Sequence, residues 1–164
     1  MIELKELSVN DGQDIYDMLQ KIGPSENEFH NIVNGMTYGD FKNWLLMQHD
    51  WSLGINLPEG YVRQWTFWLM DNGLPVGYGK LREKVTDESR KFGGNIGFAI
   101  VPEYRGKGFG YTLFQLLIRT AKERHIEELF STVEKYNYSS KRIHEKCGGI
   151  LINEDDIRWY FIFE

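Results

Sequence analysis

Arg105-Gly106-Lys107-Gly108-Phe109-Gly110 sets three glycines within five positions and frames them with two cations. The segment lies between an apolar run that ends at Val101-Pro102 and an amphipathic run from Gly110 to Arg124. Unpaired amides at the start of a helix, together with the positive end of its dipole, bind phosphate groups. Glycines remove side chains that would hold a ligand off those amides and permit the backbone angles that aim them inward. Arg105 and Lys107 supply local positive charge in a chain whose formal net charge is −5. A Walker loop would need Gly-Lys-Ser or Gly-Lys-Thr at its end, and Tyr111-Thr112 does not supply it. A dinucleotide fingerprint needs G-x-G-x-x-G early in a parallel βαβ unit, and here the spacing is G-x-G-x-G, late in the chain. The alternative is a glycine-rich loop that only turns the chain.

A second motif lies downstream: Asn137, Ser140, Ile143, Glu145, Lys146 and Gly148. Its spacing is similar to N-x-x-A/S…Y-E-K-x-G-F, and Arg105, Gly108 and Gly110 match R/Q-x-x-G-x-G/A. Both patterns belong to the GNAT superfamily of N-acetyltransferases. Asn95 to Tyr104 also resembles that family's fourth strand and its approach to the glycine signature. The strict resemblance runs from about Asn95 to Gly149, and Leu57 to Lys84 resembles a subgroup of small acetyltransferases predicted from sequence.

The resemblance implies an α/β fold: one domain over residues 1–164, with a mixed, mostly antiparallel twisted sheet of about six to seven strands. That sheet splays between its fourth and fifth strands and carries helices on both faces. It implies acetyl-CoA as cofactor, with the pantetheine arm paired to the fourth strand like an added strand. Ile100 and Val101 would offer backbone groups to that arm. The amides of Arg105, Gly106, Lys107, Gly108, Phe109, Gly110 and Tyr111 would hold the pyrophosphate. Asn137 and Ser140 would meet the cofactor from the other side, or serve only as a turn and a helix cap.

Acyl transfer to an amine requires a neutral amine, a stabilised oxyanion and a proton for the leaving thiolate. A lysine-like amine has a pKa of about 10.4, so deprotonation at pH 7 costs about 4.6 kcal/mol. The family often uses a glutamate on or beside the fourth strand as base. Glu83 is the first carboxylate candidate and Glu134 the second, each with the alternative of a solvated strand-end charge. The oxyanion would be met by an amide at a fourth-strand bulge near Ile100 or Val101. The thiolate's acid is usually a tyrosine before Glu-Lys, and this chain has His144 there. His144 would be the catalytic acid, with Tyr138 or Tyr136 as substitutes. Cys147 reads as a small packed residue rather than an acyl-carrying nucleophile. His30, His49 and His125 show no metal-ligand spacing, and no metal is expected.

The acceptor pocket implied by the resemblance comprises Ser25 to Phe29, the Met36 to Trp51 helix, Tyr61 and the tip before Trp159. Glu26, Glu28, Asp40 and Asp50 would draw a cationic amine, with Trp44, Trp51 and Tyr61 as walls. A small-molecule amine acceptor is expected. A non-catalytic acyl-CoA-binding module and a protein N-terminal acetyltransferase stay open. A monomer or homodimer is the expected assembly.

The elements that must position these groups follow from pattern. Ile2 to Ser8 reads as a strand; Asn10 or Asp11 caps a helix carrying Ile15, Met18, Leu19 and Ile22 at helical spacing. Thr37 and Asp40 form a capping box before Phe41, Trp44, Leu45 and Gln48. Gln64 to Asp71, a tight Asn72-Gly73 turn and Val76 to Lys84 make a hairpin. Asp87 to Lys91 reads as a polar loop, and Asn95 to Val101 as the next strand. After the Gly110 to Arg124 helix come a strand at Glu128 to Val133, a helix at Ser139 to Lys146, and final strands at Leu151 and Arg158 to Phe163.

With 164 residues, 41% hydrophobic and 26% charged, the composition is that of a globular protein. The acidic balance argues against nucleic acid as partner. No apolar run approaches the ~20 residues of a membrane helix, so no membrane partner is expected. One cysteine, and an opening Met1-Ile2-Glu3-Leu4-Lys5 without signal-peptide layout, fit a cytoplasmic protein.

Overall fold

The structure, a computed structural model, describes residues 1–26 and 29–164, side chains excepted at 25 and 26. Two sheets organise the chain. In the first, β1 (Ile2–Glu6), β4 (Gln64–Asp71), β5 (Leu74–Arg82) and β6 (Ile96–Ile100) lie side by side in that order, all antiparallel. In the second, the order is β7 (Leu129–Glu134), β9 (Arg158–Phe163), β8 (Ile150–Glu154), again antiparallel. This is the mixed α/β architecture expected, with the fourth and fifth long strands, β6 and β7, facing each other across the division.

The hairpin turn between β4 and β5 is made where Asn72 and Gly73 take φ 49 and 82, the left-handed pair a two-residue turn demands. Its bulge lies between Leu69 and Met70 of β4. By contrast β6 pairs with β5 in unbroken register from Leu81↔Ile96 to Gly77↔Ile100, so the bulge expected near Ile100 and Val101 is not in this strand pair.

Helices cover both faces. On one, α4 (Phe109–Glu123) buries Leu113, Phe114, Leu117, Ile118 and Ala121 against Phe67, Leu69, Val76 and Leu81. These positions recur at helical spacing, and the apolar area they remove from water dominates the helix's stability. Gly77 and Gly79 let that contact close: a Cβ at either would stand 2.9 Å from Ile100 or Leu117. On the other face, α1 (Gln13–Ile22) and α2 (Tyr38–Ser52) pack Ile15, Leu19, Phe41, Trp44 and Leu45 on Trp68, Met70, Tyr78 and Ala99. Thr37 caps α2 by accepting from the Asp40 amide at 3.1 Å.

Several local expectations are corrected. The N-cap of α1 is Gly12, without a side-chain cap bond. Asp11 is instead buried, accepting from Trp68 Nε1 at 2.8 Å, so a distant indole outcompeted the local cap. The polar stretch after β5 is a short helix, α3 (Asp87–Lys91), closed by a Thr86–Ser89 capping box. Within the loop after α1, β2 (Ser25–Glu26) pairs with β3 (Phe29–His30). Lys80 holds this hairpin to β5: its ammonium lies 4.4 Å from the Phe29 ring centre and donates to the His30 carbonyl.

The two sheets are clasped at one end. Asn95, 1% exposed, donates its amide to Phe130 O (2.9 Å) and accepts from Phe130 N (2.9 Å) through Oδ1. Its Nδ2 donates to the carbonyls of Glu128 (2.6 Å) and Arg82 (3.2 Å). Gly94 beside it cannot carry a side chain, since a Cβ would lie 1.8 Å from Phe130 O. Beyond this clasp the sheets part. Among the described residues no helix is long and apolar enough to cross a membrane.

Candidate active site

A cleft of about 590 Å³ occupies the gap between β6 and the β7–α5 unit, where α5 spans Tyr138–Lys146. Its lining comes from both faces of the sheet: Phe114, Ile143 and His144 from one, Phe29 and Ala99 from the other. The β5–β6 register determines which backbone groups it meets. Val101 N donates to Val76 O, so by strand alternation Gly97, Ala99 and Val101 turn their amides toward β5, while Asn95 gives β5 only its carbonyl, which accepts from Arg82 N. Ile96, Phe98 and Ile100 therefore turn theirs toward the cleft. Ile100 O accepts from Arg105 Nε at 3.0 Å. Val101, expected to serve a cofactor arm, is buried with its amide already used. Phe98 presents the neighbouring cleft-facing edge group instead.

At the wide end of the cleft α4 begins. Gly106 and Gly108 take φ 74 and 87, conformations that L side chains rarely adopt. The first helical bond runs from Thr112 N to Gly108 O (3.1 Å), so the amides of Phe109, Gly110 and Tyr111 precede the ladder. Gly110 serves a different need: a Cβ there would meet Ile143 at 3.0 Å and Phe98 at 3.2 Å. Arg105, Gly106, Gly108, Gly110 and Tyr111 line the cleft. The side chains of Lys107 and Phe109 do not; Lys107 lies over Tyr104 and Phe109 packs edge-on against the same ring.

Opposite stands α5. Asn137 caps it, accepting from Ser140 N at 3.2 Å, while both residues also line the cleft. His144 is 3% exposed, packed on Phe114 with ring centres 4.5 Å apart. Its Nδ1 lies 2.8 Å from the Ser140 carbonyl, which can only accept, so Nδ1 carries the proton. Its Nε2 then accepts from the Ser131 hydroxyl at 2.7 Å. Burial pushes the ring's pKa down to about 4, the Ser140 carbonyl acting against it. At neutral pH this histidine is therefore uncharged. The expectation of a resting proton donor at His144 is corrected accordingly: the ring gives up a proton at Nε2 only after taking one.

Glu83, expected as base, is set elsewhere. It lines a second, charged groove with Arg63, Arg124 and Glu128, where a carboxylate is solvated and accepts from Arg63 N at 3.4 Å. Glu134, Tyr136 and Tyr138 do not line the cleft either; the two tyrosines are exposed, with Tyr138 against Trp159. Cys147 is partly buried, and burial pushes its thiol up to about 11. Trp44 belongs to the core, and Trp51 packs on Tyr61 at 5.2 Å, away from the cleft with Asp40 and Asp50. The Glu28 residue and the Glu26 side chain lie outside the described residues.

The sequence reading missed Ser131 and Thr132, although two hydroxyls inside the apolar strand Leu129–Glu134 were a signal. It also missed Arg142 and Lys146 as lining cations, four apart on α5. With Arg105 they make the wide end positive in an acidic chain. Positive-φ glycines, helix-start amides and three cations fit the phosphates of a nucleotide-bearing cofactor.

The sequence model described as the Acetyltransferase (GNAT) family matches residues 26–149. A [ribosomal protein bS18]-alanine N-acetyltransferase of Haemophilus influenzae is 35% identical over 108 residues, 66% of this chain and 68% of that one. In structure the chain is similar to a ribosomal-protein-S5-alanine acetyltransferase from Vibrio fischeri (TM-score 0.71, 15% identity, 98% and 91% covered). It is also similar to the Campylobacter jejuni N-acetyltransferase PseH in complex with acetyl coenzyme A (TM-score 0.59, 14% identity, 100% and 99% covered).

Proposed function

Because this chain belongs to the Acetyltransferase (GNAT) family, we propose that residues 1–164 form one domain moving the acetyl group of acetyl-CoA to a primary amine of a small molecule. Acetyl-CoA-dependent N-acetyl transfer is the family's activity; the acceptor is our reading. The observation that carries it is the cleft between β6 and β7, lined by the α4 glycine turn at one end and by Phe29 from the opposite face. Donor and amine would enter from opposite sides and meet within the sheet, which suits direct transfer in a ternary complex.

In this reading the amides of Gly106 to Tyr111 hold the pyrophosphate, with Arg105, Arg142 and Lys146 adding charge. The edge groups of Phe98 and Ile100 pair with the pantetheine arm, and Asn137 and Ser140 close on it from α5. Bound acetyl-CoA supplies an acyl thioester. Edge amides of β6 stabilise the oxyanion that forms when the amine attacks. Among the described residues no carboxylate lines the cleft. The site therefore suits an amine of modest basicity: an α-amino group with a pKa of about 8 costs only ~1.4 kcal/mol to deprotonate at pH 7.

That same point, and the 35%-identical relative named for alanine N-acetylation, favour a second reading: a peptide amino terminus. Calorimetry with acetyl-CoA, followed by turnover on free amines and on peptides beginning with alanine, tests both. Small amines turned over faster than peptides support the first reading. Peptides alone support the second, and no acetyl-CoA binding overturns the cofactor assignment.

A further inference from the structure

The deepest polar pair in the cleft is Ser131 with His144. Ser131 stands between Leu129 and Val133 on the α4–α5 face of β7, one residue past the Phe130 clasp. It is 3% exposed and nevertheless lines the cleft, as does His144. The hydrogen bonds have one consistent direction: Ser131 Oγ–H to His144 Nε2, and His144 Nδ1–H to Ser140 O. A hydroxyl facing a neutral imidazole whose far nitrogen is fixed by an acceptor is the arrangement of an activated nucleophile.

Its place along the cleft suits an acyl group. The phosphate-binding turn is at the wide end and the Asn95–Phe130 clasp at the narrow one. Between them β6 runs five residues, or about 17 Å at the usual rise. An arm anchored at the turn and extended along β6 brings its far end, the thioester, toward Ser131. The cleft-facing amides of Ile96 and Phe98 are the donors nearest that end.

We propose that Ser131, with His144 as its base, accepts the acyl group of a small acyl-CoA thioester when no amine is bound, making the site a slow acyl-CoA hydrolase. This rests on the acetyl-CoA reading of the cleft. Ser131 Oγ attacks the thioester carbonyl as its proton passes to His144 Nε2. The C–S bond breaks, the imidazolium returns that proton to the thiolate, and coenzyme A leaves as the free thiol. Water then attacks the Ser131 ester, its proton again moving through His144, to release the carboxylic acid and restore the hydroxyl. The sum is thioester plus water to acid plus thiol. A buried, weakly basic ring makes both attacks slow, and water must enter beside a serine only 3% exposed whereas the bound thioester is already in place, so the acyl-serine accumulates.

The test is amine-free protein mixed with acetyl-CoA, with thiol release followed by dye and the protein followed by intact and peptide mass. One acetyl group on the peptide holding Ser131, with continuing thiol release, is expected. Ser131→Ala and His144→Gln should each slow release by about tenfold or more, with melting temperature and acetyl-CoA affinity read alongside to show that the variants are folded. Acetyl-CoA bound and transferred to amines with no label on Ser131 in the wild type overturns the dyad alone, as does label found on Cys147. No acetyl-CoA binding by the wild type overturns the dyad together with the reading beneath it.

Discussion

The α4 turn and the Phe29 wall of the cleft are built by different means. At the α4 end the working groups are backbone amides, set by Gly106 and Gly108 at positive φ and by one helix start, all within a few residues. On the Phe29 wall the lining is a ring from the β2–β3 hairpin, braced by Lys80 from β5 and by a Tyr78 ring 4.8 Å away, centre to centre. A site made of backbone marks its sequence, because only glycine serves there. A site made of side chains from separate elements leaves no local mark.

Gly108→Asp attacks the α4 turn most directly. It places a carboxylate where phosphates should sit and a Cβ where φ is 87, so acetyl-CoA affinity should fall about 100-fold or more. Calorimetry measures this, and affinity within about threefold of wild type would break the contrast. The next effect lies in the protein itself. The ordinary His144 pKa of 6.5 falls to about 4 on folding, so the unfolded chain binds a proton that the folded chain refuses. Stability should therefore decline as pH drops from about 6.5 to about 4 and level off below, by roughly 3 kcal/mol for this group. Urea unfolding at several pH values should show that slope in the wild type and a shallower one in His144→Gln. Smaller again is Phe29→Ala, expected to raise the acceptor KM by about tenfold while acetyl-CoA affinity stays nearly level. A parallel loss of cofactor affinity would mean that the α4 turn and the Phe29 wall are not separable. Least of all is Glu83→Gln. With the carboxylate in the Arg63–Arg124 groove, kcat/KM should stay within about twofold in steady-state assays.

How much was legible follows the same division. The Asn72-Gly73 turn, the Thr37 cap, the α4 stripe and the glycine turn each depend on neighbours within a few positions, and each stands where the sequence put it. Val101 failed because strand parity, not proximity to the motif, decides which amides face the gap. Asp11 failed because its partner, Trp68, is 57 residues away. The resemblance implies Trp44, Trp51 and Tyr61 as walls, and packing assigns them to other surroundings. The Ser131–His144 pair spans two elements, so neither residue alone announced it.

Asn95 has a mechanical consequence. Three hydrogen bonds from one residue to Glu128 and Phe130 hold the sheets together at the narrow end, so the clasp acts as a fulcrum and the two strands as arms. A rotation of about 5° there displaces a point ~17 Å out by about 1.5 Å, half the width of a hydrogen bond. The phosphate end is where that leverage is greatest. A ligand bridging α4 and α5 would brace both arms at once, joining by its own length what the chain leaves apart.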